Sequence, residues 1–243
     1  MTNHLMHAFR IVRSAVVALA VAIPALAILT SCDDTEYESV SLPAYSIIAT
    51  LDSNRQGAGS VFTYRTGETT PLVTVTSKIM LDTAYHVSVG DRLVIYFNTE
   101  DNRSIEQSGP IDLRMITRVY NDTIRPATST IISSWKSAPV SGTQVCRRGN
   151  YIDVWAYLPL MQQQQYLRLY VDENSIAGGK ADMYLTLDNP NLAPGQSALF
   201  YSSFHIEDFL RAHPDVNSFH ISVAGAQSVN PVVELNGISL LSD

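Results

Sequence analysis

The stretch GNYIDVWAYLPL, residues Gly149 to Leu160, decides how the chain is read. Its alternate positions separate into Ile152, Val154, Ala156 and Leu158 on one side and Tyr151, Asp153, Trp155 and Tyr157 on the other. A period of two belongs to a β-strand, whose successive side chains point to opposite faces. The aliphatic side must be buried. The other side admits two readings. It is either a strip of flat aromatics with one acid, suited to stacking on sugar rings and accepting hydroxyl bonds, or the half-covered back of a strand central to a sandwich. Tyr and Trp suit such half-covered positions because one end can stay wet.

The same period recurs outward from this stretch. Before it, runs at 45–52, 60–65, 72–76, 92–98 and 112–120 alternate between turn residues such as Gly57, Gly67, Gly90 and Gly109-Pro110. In the last of these, Leu113, Met115, Thr117 and Val119 share one face, with Asp112, Arg114 and Arg118 on the other. The run 92–98 is apolar on both faces, through Leu93, Ile95 and Phe97, then Val94 and Tyr96, and should be central. Five strands in so short a span match a small Greek-key barrel of the OB type, although SH3-like barrels have a similar count. After it, runs at 166–172, 182–188, 198–205 and 217–224, with a weaker one at 232–235, predict a β-sandwich. One helix is expected, with Ile206, Phe209 and Leu210 on one face and His213-Pro214 stopping it. Residues 123–142, rich in Thr, Ser and Pro, hold the expected boundary, and Ile131, Ile132 and Trp135 read as a first strand or packing segment of the second module. The expectation is all-β: a barrel over 44–124 and a sandwich over 125–243.

The N-terminal segment 1–31 reads as a signal peptide. Arg10 and Arg13 precede an uncharged apolar run, 15–29, too short to span a bilayer. It ends in Leu29-Thr30-Ser31-Cys32, which resembles a bacterial lipobox. Cleavage before Cys32 would leave a lipidated N-terminus, and more than one acyl chain anchors stably to a membrane. Residues 32–43 then form an acidic tether, Asp33, Asp34 and Glu36 included; an Asp directly after a lipidated Cys can retain a protein at the inner membrane, but the acidic run resembles a signal for export to the outer membrane, often its outer surface, and that is the expectation. Removing Arg10 and Arg13 takes the formal charge from −7 to −9, which repels phosphate backbones and argues against nucleic acid. Only Cys146 then remains besides the lipidated residue, so no disulfide within the chain is expected.

Several runs are similar to NigD-like lipoproteins. DRLVIYFNTED and IDLRMITRVYNDTI resemble the end of that family's N-terminal barrel. RRGNYIDVWAYLP, YLRLYVDEN, DMYLTLDNPN and SSFHIEDFLRAHPDVNSFHISV resemble strands of its C-terminal domain. The resemblance implies an OB-like barrel, a β-sandwich and a place in the envelope, and brings no catalytic residue with it. The tract Gln162–Gln165 departs from it as a variable hairpin loop, and the tail after Gly225 extends past it.

Candidate sites are few. Tyr151, Asp153, Trp155 and Tyr157 are the candidate ligand face. Phe62, Tyr64 and Arg65 lie on the barrel strand that carries ligands in OB folds. His205 and His220 could meet across a hairpin, but no metal-ligand spacing, catalytic motif or cofactor loop occurs. Arg147 and Arg148 beside Cys146 could lower its pKa. Asp82-Thr83-Ala84 and Asp122-Thr123-Ile124 resemble O-glycosylation signals at Thr83 and Thr123, and Asp and Thr also favour turns. The expected function is that of a non-catalytic lipoprotein, anchored by its lipid, that binds an envelope protein or an extracellular glycan. Protection against a bacteriocin follows from the resemblance as the alternative. Glycan hydrolysis, which needs two facing carboxylates, is the third.

Overall fold

A computed structural model describes residues 42–100, 103–160, 165–189, 196–225 and 232–241. The expectations for the signal segment, Cys32, most of the tether and Gln162–Gln164 lie outside these residues. No helix among those described is long and apolar enough to cross a membrane.

Five strands come first: β1 (Tyr45–Arg55), β2 (Gly59–Tyr64), β3 (Val73–Ser77), β4 (Arg92–Thr99) and β5 (Gly109–Arg118). Their order β1-β2-β3-β5-β4 closes on itself, the topology of the OB-type barrel. A short parallel pairing, Val75 with Gly109 and Thr76 with Pro110, shuts it. Inside are Ala49, Leu51, Phe62, Tyr64, Val75, Leu93, Ile95 and Phe97, all nearly inaccessible. Burying such side chains contributes roughly 1.5–3 kcal/mol each. Gly59 opens β2 at φ +78°, where a Cβ would lie 1.9 Å from the Ser77 carbonyl oxygen, so only glycine lets the β2 and β3 backbones meet.

The alternation expected for β5 fails midway. Tyr96 pairs with Met115 and Phe97 with Leu113, leaving Arg114 unopposed as a bulge. An extra residue in one strand exchanges its faces. Met115 is therefore half exposed, and Ile116 takes the inward place.

The second module starts earlier than expected. β6 (Tyr120–Thr123) already pairs with a sandwich strand, so the barrel ends at Arg118. Then follow β7 (Arg125–Pro126), helix α1 (Ser129–Ser134), β8 (Ser141–Arg148), β9 (Tyr151–Pro159), β10 (Leu167–Val171), β11 (Lys180–Leu187), β12 (Ser197–His205), helix α2 (Glu207–Ala212), β13 (Ser218–Val223) and β14 (Val232–Asn236). They form a five-stranded sheet, β14-β13-β11-β10-β7, and a four-stranded sheet, β6-β12-β9-β8. Ile152, Val154, Ala156 and Leu158 of β9 share the sandwich core with Leu167, Leu169, Met183, Leu185, Phe204, Phe219 and Ile221. The helix at 207–212 forms where its apolar spacing predicts. Ile131 and Ile132 belong to a helical turn rather than a strand, because Thr128 accepts from the Ile131 N–H and caps it.

The tail after Gly225 is structural. β14 pairs with β13, and Leu235 and Ile238 enter the sandwich core. Beyond them Arg147 donates to the Ser239 carbonyl at 2.6 Å, and Asn150 exchanges two hydrogen bonds with the Leu241 backbone.

Candidate functional site at the junction of barrel and sandwich

The back of β9 meets neither solvent alone nor the sandwich interior. It meets the barrel. The register places Tyr151, Asp153, Trp155 and Tyr157 of β9 beside His205, Ser203, Tyr201 and Leu199 of β12, and Arg148, Cys146 and Gln144 of β8 on the other side. Onto this surface the barrel sets the outward residues of β4, Arg92, Val94 and Tyr96, with Ile48 and Thr50 of β1. Ile48, Val94 and Val119 form a small core of their own, against which Tyr96 and Tyr201 pack. This explains why the run 92–98 is apolar on both faces: one face fills the barrel and the other docks.

Asp153 lies at the centre of the contact and is wholly inaccessible. Arg92 donates to both its carboxylate oxygens, at 2.7 and 2.6 Å, and the Ser203 hydroxyl donates at 2.6 Å. Arg148 adds a longer bond of 3.3 Å. The Arg92 guanidinium also sits 4.1 Å from the centre of the Tyr151 ring, whose other neighbour is His205 at 4.8 Å. Two of the four residues of the expected ligand face are thereby committed to holding the modules together. Asp153 accepts from the barrel, and Tyr151 is engaged by Arg92 and His205.

The remaining two face open space. Trp155 is half-buried and Tyr157 exposed. Trp155, Tyr201 and Leu199 line a groove of about 310 Å³ together with Ser46, Ile47, Ile48, Val94 and Arg148. A second cleft, of about 230 Å³, lies between the β1–β2 side of the barrel and the β8–β9 turn. Its lining includes Asp52, Thr63, Arg65, Arg92, Arg148 and Tyr151. Arg148 borders both. Tyr201 and Tyr96 approach hydroxyl to hydroxyl at 3.4 Å, and burial together with this contact pushes the Tyr201 pKa up to about 12, keeping it a neutral hydrogen-bonding group.

Other expected sites resolve differently. Phe62 and Tyr64 point into the barrel, where the Tyr64 hydroxyl donates to the Ile105 carbonyl at 2.7 Å. The outward positions of β2 are Val61 and Thr63, so the strand presents no aromatic platform. His205 and His220 do not meet, because β12 and β13 belong to different sheets; His220 pairs with Glu234. No group of His, Cys, Asp or Glu suited to a metal occurs among the described residues. Burial pushes the Cys146 thiol up to about 11, outweighing the pull of Arg148 and Arg92. Thr83 is exposed in a single turn capped by Asp82, whose carboxyl is held below its usual range by the Ala84 N–H and the Thr83 hydroxyl. Thr123 ends β6, a strand rather than a connection, opposite His205.

Sequence reasoning passed over Arg92 and Tyr201, and saw Arg148 only as a neighbour of Cys146. A usable signal was present: an arginine opening a strand that is apolar on both sides has to be matched by an acid wherever that second side is buried.

No family profile matches the chain, and no curated protein is similar to it in sequence. Solved structures share its fold. A protein of unknown function, DUF1344, from Bacteroides vulgatus superposes with a TM-score of 0.58 at 17% identity, over 82% of this chain and 92% of the other. A candidate lipoprotein of Bacteroides fragilis gives 0.55 at 14%, over 80% and 98%. A NigD-like immunity protein from Bacteroides caccae gives 0.48 at 15%, over 82% and 92%. The chain thus shares the all-β fold of the Bacteroides vulgatus and Bacteroides fragilis proteins.

Proposed function

We propose that this chain is a non-catalytic envelope module, held to the outer membrane through lipid on Cys32, that binds an extracellular glycan in the groove beside Trp155. The groove itself carries the reading. Its walls come from β1, β4, β9 and β12, with Arg148 contributed by the edge strand β8. Beside the aliphatic Ile47, Ile48, Val94 and Leu199, its side chains include an indole, a phenol and a guanidinium. Flat aromatics stack on the apolar faces of sugar rings, while hydroxyl and guanidinium groups bond to ring substituents.

Two features support binding without turnover. None of the residues lining the groove is a carboxylate. Asp153, the acid nearest in sequence, is saturated by Arg92 and Ser203.

A glycan array probed with the purified full chain tests the reading. Retention of one glycan class by wild type, and its loss in Trp155→Ala at an unchanged melting temperature, is expected. Absence of any retained glycan, or equal retention by the variant, rejects it. In parallel, mass spectrometry of protein from its native cells should find an acylated N-terminal peptide beginning at Cys32.

A further inference from the structure

We infer that the ligand of this groove is an acidic oligosaccharide, and that Arg148 reads its carboxylate. The inference rests on the glycan reading above and specifies the class of sugar.

The argument begins with the charge balance around Asp153. One carboxylate faces two arginines. Arg92 takes both oxygens in short bonds, and Ser203 takes a further lone pair. A carboxylate offers about four acceptor positions, and three are filled by these bonds. Arg148 reaches the same group only at 3.3 Å and through one nitrogen. Its guanidinium has five donors in a planar fork, so most of its hydrogen-bonding capacity is unspent on Asp153. The Asp153 charge is neutralised by Arg92, which leaves Arg148 as the positive excess of the cluster.

Position decides what this excess can do. Arg148 is 18% exposed, and it lines both the aromatic groove and the polar cleft. Trp155 and Tyr201 lie in the first, as cross-strand partners. Arg65, Thr63 and Asp52 lie in the second. A sugar stacked on the aromatic pair can turn its ring carboxylate toward Arg148, where a bidentate pair is geometrically favoured. Asp52 is the one acid among the residues lining the polar cleft. It accepts from the Thr63 hydroxyl at 3.1 Å, and Arg65 lines the same cleft to offset it. The rest of the protein carries net negative charge, so a cation shared by two clefts marks a local preference for an anion.

The test compares uronic-acid oligosaccharides with the same chains after carboxyl reduction, titrated into the full chain in detergent by calorimetry. Wild type should bind the acidic form at least tenfold more tightly, and the advantage should shrink as salt rises. Arg148→Gln should abolish that tenfold preference, bringing the affinity for the acidic form down to about that for the reduced one, and Arg148→Lys should retain part of it. Thermal melting of both variants, expected to match wild type because Arg148 makes only the long bond, establishes that they fold. Equal affinity for acidic and reduced chains, or loss of both in Arg148→Gln, overturns this inference and leaves the glycan reading standing. Binding of neither form by any variant overturns both. Tighter binding of an acidic peptide than of any sugar also overturns both and assigns the groove to a protein partner.

Discussion

Asp153 and Arg92 form a pair that neither module could hold alone. A buried charge without its partner is costly, and breaking such a pair from one side costs about 3–5 kcal/mol. Asp153→Ala should lose about that much in urea unfolding, and Arg92→Leu/Asp153→Leu should recover much of it, since apolar replacement of both partners removes the stranded charge. A double variant no more stable than the single one would mean that the pair contributes beyond mutual neutralisation. A second residue-scale effect is set by pH. Burial raises the Asp122 pKa, but hydrogen bonds from Arg125, from the Thr123 backbone and from Arg168 outweigh it, leaving the carboxyl below its usual value. A group whose folded pKa is depressed adds stability above the unfolded value, about 3.9, and loses it as pH falls through the folded one. The stability gap between wild type and Asp122→Asn should therefore be full at pH 6 and narrow progressively below about pH 4, measured by urea unfolding across that range. At this scale the sequence pointed to Asp153 as a residue worth watching. It could not show that Asp153 faces inward, because its partner is 61 positions away.

Among the elements, strand existence was legible nearly throughout and strand surroundings were not. β1 to β4 and β9 to β14 stand where period two and turn residues place them, because a strand buried on one face has to alternate; β5 does so only in part, since Gly109-Pro110, read as a turn, opens it and pairs with β3. β8 was missed, since Ser141–Arg148 carries polar residues on both faces: it is an edge strand, and Arg147 is buried through contacts with the Gly149 and Ser239 backbone rather than by apolar character. The bulge at Arg114 was invisible because it is a property of two strands. The tail shows how far an element's role depends on its neighbours. Truncation after Gly225 removes β14, takes Leu235 and Ile238 from the core, and leaves Arg147 and Asn150 without their partners at Ser239 and Leu241. The truncated protein should lose at least about 4 kcal/mol, from two large apolar side chains and the stranded polar groups, and should melt at a clearly lower temperature. An unchanged melting temperature would make the tail an appendage.

As a whole molecule, the described residues from Pro43 onward form one compact unit. Barrel and sandwich share the small core of Ile48, Val94 and Val119 and the Arg92–Asp153 pair, so they should unfold together. Hydrogen exchange in urea should give the amides of β2 and β9 the same global free energy in wild type and different values in Asp153→Asn, where the junction is weakened. Two separate values in wild type would show independent modules. What the amino-acid sequence determined by itself was local: the period of most strands, the glycines of most turns, the stop of the helix before Pro214, the two-module order, and the charge that argues against nucleic acid. Each of these follows from neighbours a few positions apart. Which side of β9 would meet the barrel was decided only in three dimensions. The docking surface, the bond from Arg92 to Asp153, the spare cation at Arg148 and the groove beside Trp155 arise from strands distant in the chain, and burial is a property of what packs on a residue rather than of the residue.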